Sequence, residues 1–546
     1  MASNVLSRES AGDELINVES PIPVAKMSSI NNHNLTQKQS TTVDSIRKQS
    51  GGIPFYAVPK QRQHWGDTHF LPHVNWGDLF FDLFFVAACY RLGNLLKSDC
   101  VTGAGFRGFA YYVGLFGPII SVWKAKLMYD CRFELVDHAH RVYEMIRLFF
   151  LAFAILHIKS IAKLSDESSP VSLCFSIGIF GESCMVMLKY VEVYFKGKGM
   201  KGKESDAIKP AAVYTVIYFE GVRFISSLTA VIVSAVFYVK ENSEGHKKDQ
   251  DHYRVLASSA VDPSVWVRGD FPIMILLVGF IVSLTIMQIR IYCAPPFEIT
   301  KKTSIPMNLD FVIHRHGEWI LLMLGESILS LLIVEVKEST QYYVVFFFGV
   351  ATVILIQHLH FQSQPSHAAD HAMRRSRASG IAYSVAFDIY SMALVALGAS
   401  FKIMLYNSGG TDENDAGISS SDSHRYLASS SGTESKTETA HLFCRSLFIV
   451  LVCFDFISLM HKGINQNVSR CKSGKCRMSK RRHNAAIIMV LCKVALYIFT
   501  MTLSLWTEEP GTLAIASSII ALSMIIMSDW GFSLFAVASV GDSSDV

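Results

Sequence analysis

Apolar residues in this chain gather into blocks of about 20, and the blocks recur from near residue 74 to near residue 531. A helix of that length crosses the hydrocarbon core of a bilayer. Backbone polar groups find no water there, so a crossing segment must satisfy them internally, as a helix does. The candidate spans are 74–96, 107–126, 143–163, 171–191, 211–239, 271–293, 316–335, 342–362, 380–406, 440–460, 484–506 and 511–531. The expected fold is therefore all-α: a polytopic transmembrane bundle of about 12 helices. Composition agrees. Half of the 546 residues are hydrophobic and 18% are charged, against roughly a quarter in soluble domains.

The same features exclude several function classes. A net charge of +4 scattered along the chain does not suit nucleic-acid binding. Eleven Cys lie mostly inside apolar blocks, so no disulfide framework is expected. Cys471 and Cys476 flank a basic loop but lack two further ligands, so no metal is expected. No phosphate-binding loop and no Gly-x-Ser-x-Gly elbow is present. The chain is read as neither an ATPase nor an enzyme, with no cofactor. The implied partners are the lipid bilayer and a small solute or ion.

Loop charge sets the expected orientation. Connections after even-numbered spans hold cationic clusters: Lys196, Lys198, Lys201 and Lys203; Arg374, Arg375 and Arg377; and seven Lys or Arg between Arg470 and Arg482. The opposite connections are sparser or balanced by acids. The positive-inside rule then places the cationic loops, and both termini, in the cytoplasm. Sequons at Asn34 and Asn467 fall on that side and should be unused. Residues 1–70 read as a disordered tail with no signal peptide, so the first span must act as an internal signal-anchor. Residues 407–440, rich in Ser, Gly, Asp and Thr, read as a disordered extracytoplasmic loop.

A short motif occurs twice. Asp137, His138, Ala139 and Arg141 follow the second span, and Asp370, His371, Ala372 and Arg374 follow the eighth. This spacing divides the chain into halves of six spans each, 71–300 and 301–540. An even number of spans gives the halves the same orientation, an arrangement found in several transporter folds. These motifs, with Arg132, are read as ion-paired helix starts or as a cytoplasmic gate.

Charged residues inside apolar blocks are the candidate functional groups, because a charge in hydrocarbon costs at least ~2.5 kcal/mol. Asp78 and Asp82 lie one helical turn apart on one face. Two like charges so close are expected to share a proton or hold a cation. Their structural alternative is capping or pairing at the interface. Glu326 is expected near the midplane if its helix starts at His316, and Glu182 sits similarly in a second Gly-Glu-Ser sequence. Asp388 and Asp455 complete the set, with Arg91, Arg147 and Lys493 as counter-charges. Glu220 and Arg223, three residues apart, are expected to neutralise each other. His358, His360, His367 and His371 form a cluster able to titrate near neutral pH.

Three stretches carry a family likeness. Asn75-Trp76-Gly77-Asp78-Leu79-Phe80-Phe81-Asp82-Leu83-Phe84-Phe85-Val86 resembles the opening signature of the low temperature requirement A family. Arg315-His316-Gly317 running to Leu324-Gly325-Glu326-Ser327 resembles a later helix of that family, and Tyr129, Arg132, Phe133, Glu134 and Asp137 resemble the segment between them. The chain departs from the pattern at Asp78, Cys131, His314 and His316. The resemblance implies a polytopic membrane protein and brings no molecular activity with it. Two functions are consistent with the residues. One is a proton- or cation-coupled secondary transporter using Asp82 and Glu326. The other is a non-transporting receptor, scaffold or membrane-homeostasis factor. An intramembrane enzyme would require His358 and Glu326 to converge.

Overall fold

Capping side chains, more than hydropathy, set where the helices begin. A computed structural model describes residues 54–62, 76–97, 105–135, 137–196, 211–213, 220–245, 266–293, 305–365, 370–408, 432–461 and 480–540. Among them are twelve long helices: α1 Trp76–Leu95, α2 Gly105–Asp130, α3 His138–Leu156, α4 Val171–Lys196, α5 Gly221–Gly245, α6 Phe271–Tyr292, α7 Leu309–Leu332, α8 Thr340–Ser363, α9 Arg377–Asn407, α10 Gly432–Met460, α11 Lys480–Thr502 and α12 Pro510–Val540. Asp137 caps α3, Asn308 caps α7, Ser339 caps α8 and Ser376 caps α9, each accepting a backbone N–H of the first turn. Asn308 starts α7 two turns before the hydropathy boundary at 316, because the turns carrying Asp310 and Arg315 are polar but fully helical.

Eight of these helices are long and apolar enough to cross a membrane: α4, α5, α6, α8, α9, α10, α11 and α12. The other four, α1, α2, α3 and α7, carry Asp82, Lys124, Lys126, Arg147 and Arg315 within their length. Large apolar residues are exposed on many helices, among them Phe149, Phe347, Ile354, Leu491 and Ile498. Apolar surface of that extent is unsuited to water and suited to lipid. The chain is an integral, multi-pass membrane protein.

Helix packing follows one pattern in each half of the chain. Helix α1 packs on α2 and α3, α2 on α4 and α6, α3 on α4, α4 on α5, and α5 on α6. Likewise α7 packs on α8 and α9, α8 on α10 and α12, α9 on α10, α10 on α11, and α11 on α12. Between the halves, α1 packs on α7 and α9, and α9 also touches α2 and α6. We term the end of the bundle where α1, α3, α7 and α9 begin the proximal end, and the other the distal end.

Two expectations about disorder change. Within the stretch 1–70, residues 54–62 are ordered. Strand β1 (Lys60–Gln61) pairs antiparallel with β2 (Phe133–Glu134), and Arg62 N–H donates to the Arg132 carbonyl at 2.8 Å. Tyr56 Oη donates to Glu192 at 2.7 Å, Ala57 N–H donates to Asp137 at 2.7 Å, and the Arg62 guanidinium lies 4.9 Å from the Phe311 ring centroid. The segment thus straps the proximal ends of α2, α3, α4 and α7. At the other boundary, residues 432–440 of the expected loop belong to α10, where Ala440 is buried. The basic clusters at 198–203 and 470–477, Cys471, Cys476, His367, Asn34 and Asn467 lie outside the described residues.

Candidate functional site

Helices α1, α7 and α9 meet between the first six helices and the last six, and Asp82, Arg315, Asp388 and Glu326 lie on them. Asp82 of α1 accepts two hydrogen bonds from the Arg315 guanidinium of α7, both 2.8 Å. Trp123 Nε1 of α2 donates to the same carboxylate at 3.2 Å, and Arg315 also pairs with Glu318 at 2.5 Å. Around this pair lie Trp123, Trp319, His316 and Phe387, with Trp123 and Trp319 centroids 4.5 Å apart and His316 and Phe387 centroids 4.3 Å apart. Trp319 Nε1 donates to Ser391 of α9 at 2.9 Å. Aromatic walls keep the ion pair dry, which strengthens it and makes the loss of either partner costly.

The other acids read from the sequence are paired as well. Lys126 bridges Asp78, at 2.6 Å, and Asp130. Lys124 reaches Asp388 at 2.5 Å. Arg147 holds Glu182 at 2.8 Å, and Lys189 holds Glu144 on the same two helices, α3 and α4. Lys493 contacts Asp455 at 2.8 Å, and Tyr497 donates to the same carboxylate. Glu220 and Arg223 pair at 2.7 Å, as their spacing predicts. Sequence reasoning found Arg147 and Lys493 as counter-charges and missed Lys124, Lys126 and Lys189. The signal was available: each is a lysine in or at the end of an apolar block, where a snorkelling stem and a buried partner give the same pattern.

Glu326 differs from all of these. Its side chain is 2% exposed. Ser330 Oγ donates to its Oε1 at 2.9 Å, its Oε2 has no partner, and it enters no ion pair among the described residues. Its depth also departs from expectation. Asp82 meets Arg315, Phe85 meets Trp319 (centroids 5.3 Å apart) and Cys89 Sγ lies 3.5 Å from Met323 Sδ. Both numbers rise together, so α1 and α7 run parallel. Glu326 therefore lies beyond Arg315 by about 16 Å along the axis, in the distal third of α7. Asp82 and Glu326 do not line one common site. Small residues bring the helices close at the deeper level: a Cβ on Gly398 of α9 would meet Ser327 Oγ at 2.8 Å, and one on Gly93 of α1 would meet Ala399 Cβ at 3.5 Å. Lys402 of α9 joins them there, donating to Asn94 of α1 at 2.8 Å.

The repeated motif is used differently in its two copies. Asp137 caps α3 and accepts from the His140 backbone N–H, while His140 bridges Asp137 (2.6 Å) and Glu192 (3.0 Å) through its ring. His138 and Arg141 are exposed at the helix start. Arg132 Nη1 donates to the Met128 carbonyl. In the second copy, His371 caps a separate turn, Ala372–Arg375, and Arg374 reaches Asp310 at 3.3 Å, while the half-buried Asp370 precedes the turn. His371 packs against His461, centroids 4.6 Å apart, and His461 Nδ1 accepts the Ala372 N–H at 3.0 Å. Burial pushes the His461 imidazole down to about 4. Of the described members of the expected histidine cluster, His358 is exposed, His360 stacks on Tyr390 and His371 packs against His461. His358 lies near the proximal end of α8, far in depth from Glu326, so the two do not converge. Among the described residues no group of three or more metal-ligating side chains gathers. A small cavity in the first half, lined by Ser121, Ile179, Arg223, Ser226, Leu276 and Phe280, lies away from the α1–α7–α9 seam.

Comparison with known proteins places the chain. The family described as Bacterial low temperature requirement A protein (LtrA) matches residues 73–541, and the chain belongs to it. No curated protein and no solved structure matches.

Proposed function

We propose that this low temperature requirement A protein is a proton-coupled secondary transporter in which Glu326 is the proton-carrying group. The observation that supports it is the contrast among the six sequence-selected acids. Asp78, Asp82, Glu182, Asp388 and Asp455 each have a Lys or Arg in contact, and among the described residues Glu326 has none. An uncompensated carboxylate at that depth costs several kcal/mol. It is kept neutral by a proton and regains its charge when water reaches it. A carrier alternates between those two states.

The architecture we infer is two parallel six-helix halves, about 71–300 and 301–540. The matching neighbour patterns of α1–α6 and α7–α12, and the parallel run of α1 and α7, support that division. The paired acids are then framework, fixing the helices around a moving seam. The cationic connections after even-numbered helices support a cytoplasmic proximal end.

A second reading, a non-transporting scaffold or membrane-homeostasis factor, is favoured by the dry pairing of the other five acids, which suits rigid assembly. Purified protein in liposomes carrying an internal pH dye separates the two. The transporter reading expects solute-driven proton movement that Glu326→Gln abolishes and that a framework substitution, Asp455→Asn, reduces only in proportion to folded protein. Equal proton movement in wild type and Glu326→Gln overturns it.

A further inference from the structure

Lys402 neighbours Glu326, and Lys97 and Lys337 lie further out, past the distal ends of α1 and α7; none of the three is in an ion pair among the described residues. Lys402 is 3% exposed. Its Nζ donates to Asn94 Oδ1 at 2.8 Å and lies 4.2 Å from the Tyr90 ring centroid. Lys97, just past α1, lies 3.2 Å from the Tyr406 ring centroid. Lys337, just past α7, donates to the Tyr406 carbonyl at 2.7 Å. An amide oxygen, a ring face and a carbonyl orient an ammonium but carry no net negative charge. Burial, with Lys402 and Lys337 nearby, pushes the Lys97 ammonium down to about 8. Glu326 shares this level and feels the Lys402 charge, yet its carboxylate bonds to Ser330 instead. Lys402 and Glu326, both buried, are thus neighbours without an ion pair among the described residues, while Glu335 lies near Tyr406 at the outer lysines.

We propose that this distal cluster is a solute site for a small anion, held by Lys402 with Lys97 and Lys337 at its mouth while Glu326 carries a proton. The proposal rests on Glu326 being the proton carrier. When Glu326 gives its proton to water, its carboxylate becomes the counter-charge of Lys402 and displaces the anion. One proton and one anion therefore load and leave together. The groups facing Glu326 fit this exchange. Helix α1 presents Cys89, Tyr90 and Asn94, and α9 presents Lys402. Helix α8, also packed on α7, has no Asp, Glu, Lys or Arg.

The test uses full-length protein in phosphatidylcholine vesicles with an internal pH dye. Inward gradients of chloride, phosphate and pyruvate are imposed in turn, with sodium and potassium gradients as the comparison. We expect at least one anion to drive proton uptake. Lys402→Gln should abolish that uptake and Lys402→Arg, which keeps the charge, should retain it. Glu326→Gln should bind the anion with no pH dependence below about pH 7, where Lys97 stays charged, read as a melting-temperature rise in detergent. Wild type should lose apparent affinity by up to about tenfold per pH unit once Glu326 is ionised. Proton uptake driven by sodium or potassium but by no anion overturns the anion site and leaves the carrier reading standing. Anion-driven uptake that survives Lys402→Gln also overturns the site. No proton movement under any gradient overturns both.

Discussion

At the residue scale, the burial of the carboxylates was legible and their partners were not. Asp82 and Glu182 stand out because an acid inside an apolar block is costly. Which cation answers each depends on helix neighbours that span spacing does not reveal: Arg315 lies 233 residues from Asp82, and Lys124 lies 264 from Asp388. The Asp82–Arg315 pair is buried and doubly hydrogen-bonded, so Asp82→Asn should destabilise by about 2–3 kcal/mol, because it leaves the guanidinium paired with Glu318 alone among the described carboxylates. Pairing it with Arg315→Met should recover most of that loss. Thermal unfolding in detergent reads both. A double variant no more stable than Asp82→Asn would show that the pair is more than mutual neutralisation.

At the element scale, helix existence was readable and helix ends were not, because hydropathy ignores caps. Asn308 lengthened α7 into a polar turn, moved Glu326 from the expected midplane into the distal third, and separated it from Asp82. The two Asp-His-Ala motifs looked alike in sequence, yet one caps α3 through Asp137 and the other places His371 against His461, while the end of α4 brings Glu192 to His140. The His461 contact has a pH sign. An unfolded imidazole titrates near ~6.5, and the folded one is held at about 4. The unfolded chain therefore binds the extra proton first, and stability falls as pH drops through that window. Between about pH 7 and about pH 5 the loss should approach 2 kcal/mol. His461→Gln, whose amide oxygen still accepts the Ala372 N–H, should flatten the slope in melting curves; an unchanged slope would assign it elsewhere. Helices α3 and α4 meet through Gly178, where a Cβ would lie 2.7 Å from the Ala154 nitrogen. Gly178→Ala should therefore destabilise by about 1–3 kcal/mol by prying them apart.

At the scale of the whole molecule, eight helices, α4–α6 and α8–α12, are long and apolar enough to cross a membrane, and α1, α7 and α9 meet between the first six helices and the last six. Ion pairs hold the frame, and among the described residues Glu326 is left a buried acid with no Lys or Arg paired to it. The decisive measurement is solute-driven proton uptake by wild-type and Glu326→Gln protein in dye-loaded liposomes, normalised to folded protein. The account predicts uptake in the wild type and none above protein-free vesicles in the variant. Matching rates in the two proteins would contradict it.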